Sequence, residues 1–313
     1  MNRIITSMLW IWAFCFFLTT PAAASGTKGK IDDGQTKKAS VELKFNLKPG
    51  EKYLFSSVVK QEIVQEAMGQ QITTTQDIST EYIYAIKAQE NGITEIDVTM
   101  SAIKMDTDVG GMQRITFDSS DPDAGTSELK VMSNVVGKTF QLYINEDGSI
   151  HKVEGFADVF GAMGGQQAEI LEQSFGDSSL VQSMNQITNI YPDTEVSIGD
   201  TWVKTFSGPI ANLMQSETTS NFTLSELAGD IAVLEVAGQL TFSKFTGEGG
   251  NPMLQAADFN MSGTQHGTME IDVNSGLPLL SKLKQDITGS MDMQGMKIPM
   301  SIASSITITG KKL

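Results

Sequence analysis

Apolar and polar residues alternate along most of this chain with a period of two. The alternation begins at Val41 and continues through Leu43, Phe45 and Leu47. A period of two is typical of a β-strand with one buried face, so we predict a half-buried strand here. The same pattern predicts further strands at about 53–65, 72–86, 96–102 and 140–144, and again from about 196 to the C-terminus.

Turn-forming pairs separate these strands at several points. Pro49-Gly50 follows the first strand, and Asn91-Gly92 and Asp147-Gly148 stand between later ones. Asn-Gly and Asp-Gly favour the tight turns of β-hairpins, because both residues tolerate a positive φ. The strands are therefore expected to pair antiparallel with their neighbours along the chain.

The period changes in the middle of the chain. Phe156, Val159, Phe160 and Met163 follow helical spacing, and two further short helices are predicted before Tyr191-Pro192. We therefore predict a helical insert at 156–190. The order of strands, helices and strands predicts a β-dominated α+β fold, with one or more long curved antiparallel sheets and a short central helical segment packed on one face.

The two β-rich parts share an order of landmarks. Gly50-Glu51-Lys52-Tyr53 and Gly199-Asp200-Thr201-Trp202 each open a strand with a glycine, an acid and an aromatic residue. A Thr-rich strand, a tight turn and an apolar strand follow in both. The pattern predicts either two pseudo-repeats, at 50–155 and 199–290, or an ordinary long meander without duplication.

The first residues have the pattern of a secretory signal peptide. Arg3 precedes an apolar run from Ile4 to Leu18, and Ala22-Ala23-Ala24 provides a small-residue cleavage site before Ser25. An uncleaved anchor is the alternative, but the run is shorter than the roughly 20 apolar residues of a membrane span. Cys15 lies inside the apolar run, which is the wrong position for a lipidated cysteine.

This pattern predicts the domain organisation and the location of the protein. Residues 1–24 are the signal peptide, 25–39 a disordered tether poor in apolar residues, and 40–313 a single β-rich domain. We expect export to the periplasm or the extracellular space of a bacterial envelope, with no stable membrane span after cleavage.

Charge and rare residue types exclude several classes of protein. The chain has a formal net charge of −15, with one cysteine and two histidines in 313 residues. Strong acidity argues against nucleic acid as a partner, and one cysteine cannot form a disulfide scaffold. Two histidines make a histidine-rich metal site improbable by composition.

Two acidic segments have carboxylates close enough in sequence to suggest a metal site. Residues 143–154 place Asn145, Asp147, Gly148 and Glu154 at positions of a calcium-binding loop, but Tyr143 occupies the first ligand position. A β-hairpin explains Asp-Gly there without a metal. We interpret the acidic residues near Pro122 as a solvated loop; they are Asp118, Asp121 and Asp123. The sequence thus offers no catalytic, cofactor-binding or metal-ligating residue, and we expect a protein that is not an enzyme.

Methionine is the one residue type in excess. The chain has 17 methionines, and Met291 and Met293 share a strand face, with Met296 and Met300 just beyond. Methionine suits irregular apolar surfaces. The cluster predicts either the lining of a cavity for an apolar ligand or gap-filling between a curved sheet and its helices.

Three segments resemble a known family. They are the opening 43–53, the stretch 191–202 with its Gly-Asp-Thr-Trp motif, and the hairpin 272–276. Together they resemble an uncharacterised family of exported bacterial β-rich proteins, a domain of unknown function, which implies no catalytic residues. The order of elements is also similar to that of periplasmic lipoprotein-carrier proteins, in which a curved sheet wraps helices around an apolar cavity.

Two functions follow as expectations. The first is non-enzymatic binding of an apolar or lipid-like, amphiphilic ligand between the sheet and the helices. The alternative is a structural or protein-interaction module of the envelope without a small ligand, in which Thr-, Ser- and Gln-rich strand faces such as 70–80 would form the contact surface. The sequence leaves the protein partner open.

Overall fold

The computed structural model describes residues 40–67, 69–121, 123, 127–161, 181, 184–185, 188–210, 214–246, 257–293 and 295–313. The predicted signal peptide at 1–24 and the predicted tether at 25–39 lie outside the described residues. In the described part of the chain, no helix combines the length and apolarity that crossing a membrane requires.

The described residues form fourteen strands. Several of them have 14 to 17 residues, which at about 3.3 Å per residue gives roughly 50 Å of extended chain. The strands are β1 Ser40–Val41, β2 Lys52–Ala67, β3 Gln70–Glu90, β4 Ile93–Val109, β5 Gln113–Asp118, β6 Thr139–Asn145, β7 Ile150–Glu154, β8 Val196–Ser197, β9 Thr201–Ile210, β10 Met214–Ala228, β11 Ile231–Lys244, β12 Ala257–Asp272, β13 Pro278–Met293 and β14 Met296–Lys312.

Twelve of these strands form one antiparallel sheet. Its order is β7-β6-β4-β3-β2-β14-β13-β12-β11-β10-β9, and β5 pairs with β4 beside that path. β1 and β8 form a separate two-stranded sheet. The predicted β-dominated fold with a long antiparallel sheet is therefore confirmed. The first long strand pairs with the last, so the two β-rich parts join at the centre of the sheet.

The two edge strands are connected by the segment that follows the helical residues. The backbone N–H of Ile150 in β7 donates to Oδ1 of Asn185 at 2.7 Å. The indole Nε1 of Trp202 in β9 donates to the carbonyl of Ile190, also at 2.7 Å. Because Asn185 and Ile190 bind β7 and β9 respectively, the sheet is rolled, and one of its faces is enclosed. We call that enclosed face the inner face.

Glycines on the inner face allow the sheet to bend. A Cβ atom at Gly267 in β12 would lie 2.0 Å from the carbonyl oxygen of Lys282 in β13, and one at Gly263 would lie 2.4 Å from that of Asp286. No side chain fits at either position. Glycine within a strand is typical of sites where a neighbouring backbone comes close and the sheet curves.

Residues 42–48 do not form the predicted strand. Leu43, Phe45 and Leu47 are buried as the alternation indicates, but the strand is limited to Ser40–Val41. The segment crosses between two hairpin turns. The N–H of Phe45 donates to the carbonyl of Glu146, and the N–H of Asn46 donates to that of Ser275, both at 2.8 Å. Alternation indicates that one side of an extended chain is buried. A β-strand also needs a neighbouring strand with which it forms a ladder of hydrogen bonds.

Helix occupies little of the described chain. A 3₁₀-helix spans Ser127–Asn134, and α1 spans Phe156–Gly161. Helical conformation is found again at 181, 184–185 and 188, whereas residues 162–180 of the predicted insert lie outside the described residues. Val159 and Met184 are buried against the sheet, so the described helical residues pack on its inner face.

The openings of the two proposed repeats have the same backbone bonding. In both, the backbone N–H of the glycine donates to the carbonyl of a residue in the second strand of the repeat. The N–H of that residue in turn donates to the backbone carbonyl of the acid that follows the glycine. In both, a register shift follows that strand residue. The bonds are Gly50 to Ile86 and Ile86 to Glu51, then Gly199 to Leu224 and Leu224 to Asp200. An internal duplication stays a prediction that these matching turns support.

Candidate functional site

The inner face carries two separate apolar clusters, one toward each end of the long strands. The basal cluster lies beside the hairpin turns near Glu146 and Ser275 and includes the described helical residues. Its most deeply buried members include Leu47, Ile96, Leu142, Ile144, Ile190, Tyr191, Phe222, Leu224, Leu234 and Ile271.

The distal cluster lies at the other end of the strands and is rich in methionine. Five of its members are methionines, and none of the described helical residues belongs to it. The cluster consists of Ile63, Met214, Leu240, Phe242, Ala257, Phe259, Met261, Ile287, Met291, Met293, Ile298, Met300 and Ile302. Three of the four methionines singled out in the sequence are here, whereas Met296 is 43% exposed beside a turn.

A row of buried polar side chains separates the two clusters. In β13, Gln285 lies between Leu283 of the basal cluster and Ile287 of the distal cluster, and β2 and β14 show the same order. Strand register places the row across eight strands, with Gly238 as the one member without a side chain. We call this row the polar belt; its side chains are Ser220, Gln265, Gln285, Ser304, Gln61, Gln76 and Thr107.

The polar belt is buried but only partly hydrogen-bonded. Gln61 Nε2 donates to Ser304 Oγ at 3.0 Å, and Gln285 Nε2 donates to Gln265 Oε1 at 2.6 Å. Four buried atoms of the belt have no hydrogen-bond partner within the described residues: Gln76 Nε2, Gln265 Nε2, Thr107 Oγ1 and Ser220 Oγ. Buried polar groups are paired in most proteins, so these atoms call for a physical explanation.

The belt and the apolar positions beside it carry no charge on the central strands. On β2, β3, β4, β12 and β13, every described inner-face position from one end to the other is occupied by an uncharged residue. A lysine continues the row on edge strand β9. Lys204 contacts Asp193 Oδ1 at 3.2 Å and Asn189 Oδ1 at 3.4 Å, so its ammonium is bound by residues that precede β8.

The outer face of the same strands has a different character. A depression of about 600 Å³ is lined by charged residues of β2, β3, β4, β5 and β13. Lys60 pairs with Asp77 at 2.9 Å, and Arg114 donates through Nε and Nη2 to both oxygens of Asp106. The hydrogen bond from Arg114 lowers the pKa of Asp106. These two ion pairs are largely solvent-exposed, and exposed pairs of this kind contribute little free energy.

The acidic segments of the sequence form hydrogen-bonded turns. Asp147 Oδ1 accepts from the N–H of Ser149 at 2.8 Å within the β6–β7 hairpin that the Asp-Gly pair predicted. Asp118 pairs with Lys104 at 3.0 Å, and hydrogen bonds from Ser120 lower its pKa to about 2. Across the described residues, no three His, Cys, Asp or Glu side chains come together as a metal site.

The sequence-based interpretation missed the polar belt, although a signal was present. In β3, Thr74, Gln76 and Thr80 have the same parity as the apolar residues Ile72 and Ile78. Their side chains therefore lie on the inner face of the sheet and not on the outer face. Polar residues at the apolar parity of a strand are the signal of a buried polar row. The expected contact surface at 70–80 is thereby narrowed, because Thr74, Gln76 and Thr80 are buried and only the outer-face side chains remain accessible.

The fold and the inner face define the chain as a long rolled antiparallel sheet with an uncharged, partly polar interior. The profile of a family of unknown function, DUF6263, matches residues 91–278, which is more than half of the chain. The chain belongs to this family, as the resemblance of its turn and strand motifs predicted. A comparison with curated proteins gives no match.

Solved structures similar to this chain share little sequence with it. Lipovitellin, from a structure titled for its lipid–protein interactions, has a TM-score of 0.48 at 8% identity, and the match covers 84% of this chain and 25% of lipovitellin. OccK7 of Pseudomonas aeruginosa has a TM-score of 0.26 at 7% identity, covering 84% of this chain and 100% of that one. The β domain of the Bordetella autotransporter BrkA has a TM-score of 0.25 at 7% identity, covering 82% and 98%. Such scores do not establish a common fold.

Proposed function

We propose that this protein is an exported, non-enzymatic module of a bacterial envelope that binds an apolar or amphiphilic ligand at the distal cluster. The observation that carries the proposal is the composition of that cluster, in which five methionines and two phenylalanines lie together on the inner face. Methionine side chains are unbranched and polarisable, so a surface rich in them can adapt to apolar ligands of different shape.

The position of the methionines supports the ligand interpretation of their excess over gap-filling against helices. Gap-filling against helices would place them around Val159 and Met184, the buried residues of the described helical segment. Those two residues pack in the basal cluster instead, where four of 36 described buried residues are methionines, against five of 13 in the distal cluster. The distal methionines therefore do not pack against the described helical residues.

Export is part of the proposal and rests on the sequence of the first 24 residues. An envelope location would bring the protein close to lipids and other amphiphiles. The charge of −15 disfavours adsorption to anionic membrane surfaces, so a ligand would be held by the interior of the fold and not by surface charge.

Binding of the apolar fluorophore N-phenylnaphthylamine to the chain without residues 1–24 tests the proposal. We expect saturable binding and co-purifying lipid in solvent extracts analysed by mass spectrometry. Met291→Gln places an amide in the distal cluster and should weaken binding about tenfold, because a buried polar group without a partner is costly. Met291→Leu keeps the apolar volume and should bind like the unmodified protein.

Met112→Gln is the matched control, because Met112 is 70% exposed. It should bind the fluorophore like the unmodified protein. Circular dichroism confirms that each variant is folded. A folded, unmodified protein that neither binds the fluorophore saturably nor yields lipid would contradict the proposal and favour the structural or protein-interaction module.

A further inference from the structure

The polar belt has the arrangement of a recognition site for the polar group of an amphiphile. It crosses the inner face between two apolar clusters, so a chain-like molecule lying along the strands has apolar surface on both sides of the belt. Neighbouring members are about 4.8 Å apart, the spacing of adjacent strands. Gln76 and Thr107 are direct partners across β3 and β4, and both are at most 4% exposed.

The belt has hydrogen-bonding capacity that the described residues do not use. Gln76 Nε2 and Gln265 Nε2 are buried donors without partners within the described residues, and Thr107 Oγ1 is a buried hydroxyl without one. An unpaired buried donor is costly, and an acceptor oxygen supplied by a ligand removes that cost. An ester or amide carbonyl, or a hydroxyl group, has the matching chemistry.

The charge of the ligand follows from the charge of the face. A carboxylate or phosphate buried at the belt would need a cation beside it, because an unpaired buried charge is far more costly than a buried dipole. The inner-face positions of β2, β3, β4, β12 and β13 hold no lysine or arginine. Lys204 on the edge strand is engaged by Asp193 and Asn189.

We infer that the polar belt binds the uncharged polar group of an amphiphile, such as the ester and hydroxyls of an acylglycerol, while its hydrocarbon chain lies on the distal cluster. This inference rests on the proposed function and specifies the class of ligand. Since the belt contains no titratable side chain, the affinity for such a ligand does not depend on pH.

Competition against N-phenylnaphthylamine tests the inference. A long-chain monoacylglycerol should displace the fluorophore about tenfold more effectively than the fatty-acid anion of the same chain length, the effect of one well-made hydrogen bond without the cost of a buried charge. Its affinity should be constant between about pH 5 and pH 9, whereas the fatty acid should compete better as its carboxylate becomes protonated.

The double variant Gln76→Met and Thr107→Val removes unpaired polar atoms while keeping side-chain volume. We expect it to bind the fluorophore normally, to lose about tenfold in affinity for the monoacylglycerol, and to unfold at the same or a higher temperature. Gln71→Met changes an exposed glutamine of the same strand and should alter none of these values.

The outcomes separate the two proposals. If the unmodified protein does not bind the fluorophore, the proposed function fails. If it binds the fluorophore but the anion competes as well as the monoacylglycerol, or the double variant retains its affinity for the monoacylglycerol, the assignment of the belt is wrong and the proposed function stands.

Discussion

At the scale of single residues, Gly276 occupies a position where no side chain fits. Gly276 has a φ of +70°, and a Cβ atom there would lie 2.1 Å from the carbonyl oxygen of Lys44. The carbonyl of Gly276 also accepts a hydrogen bond from the buried hydroxyl of Tyr191. Gly276 thus joins the β12–β13 hairpin to the segment 42–48 and to Tyr191, which precedes β8.

Gly276→Ala is expected to destabilise the protein strongly, for two physical reasons. A positive φ costs an alanine roughly 1–2 kcal/mol, and the clash with Lys44 adds to it. We expect a total loss of about 3 kcal/mol or more in the free energy of unfolding, measured by urea denaturation. Gly199→Ala is the matched control, because Gly199 has a φ of +90° and nothing within 4 Å of the added atom. Equal losses in the two variants would show that the close contact is unimportant.

At the scale of elements, the pattern of alternation and turns predicted the long strands and their antiparallel pairing with neighbours along the chain, but not which extended segment lacks a partner. The predicted strand at 53–65 is β2, and the Asn91-Gly92 and Asp147-Gly148 turns connect β3 to β4 and β6 to β7. Residues 42–48 alternate as strongly as any strand, yet they lack a neighbouring strand. Whether an extended segment joins a ladder depends on chain far away in the sequence, which a local pattern does not contain.

The segment 42–48 closes the basal cluster, and this gives a prediction for one of its side chains. Leu47 is 0% exposed, so Leu47→Ala leaves a cavity beneath the crossing segment. We expect a loss of about 3 kcal/mol in the free energy of unfolding, a usual cost of removing a buried leucine. Lys44→Ala in the same segment alters a side chain that points to solvent and should cost less than about 0.5 kcal/mol. A loss below about 1 kcal/mol for Leu47→Ala would mean that the segment is not part of the core.

The polar belt shows the same limit for the candidate site. Each of its glutamines stands in a segment that was predicted as a strand, so the individual positions were accessible from sequence. Their alignment was not, because Gln61 and Ser304 meet across a separation of 243 residues. Register between distant strands depends on which strands pair, and only the fold establishes that.

At the scale of the whole molecule, the pairing of β2 with β14 joins the two β-rich parts into one sheet. The end of this pairing is held by a small polar group. Glu51 accepts hydrogen bonds from the ammonium of Lys312 and the hydroxyl of Tyr53. The hydrogen bond from Lys312 is the main reason why the pKa of Glu51 falls from 4.5 to about 2. The carboxylate of Glu51 therefore links the start of β2 to the C-terminal end of β14.

Glu51→Gln should weaken this junction in a pH-dependent manner. A carboxylate with a lowered pKa stabilises the folded state fully above pH 4.5, its unfolded value, and loses that contribution as the pH falls toward about 2. The difference between the two proteins in the free energy of unfolding should be about 1 kcal/mol near neutral pH and should vanish near pH 2, as measured by urea denaturation across this range. Lys312→Met should abolish most of the difference, because it removes the partner. Glu42→Gln, which alters a more exposed ion pair with Lys44, should change the stability less. A difference that persists unchanged at pH 2 would show that Glu51 acts through packing and not through its charge.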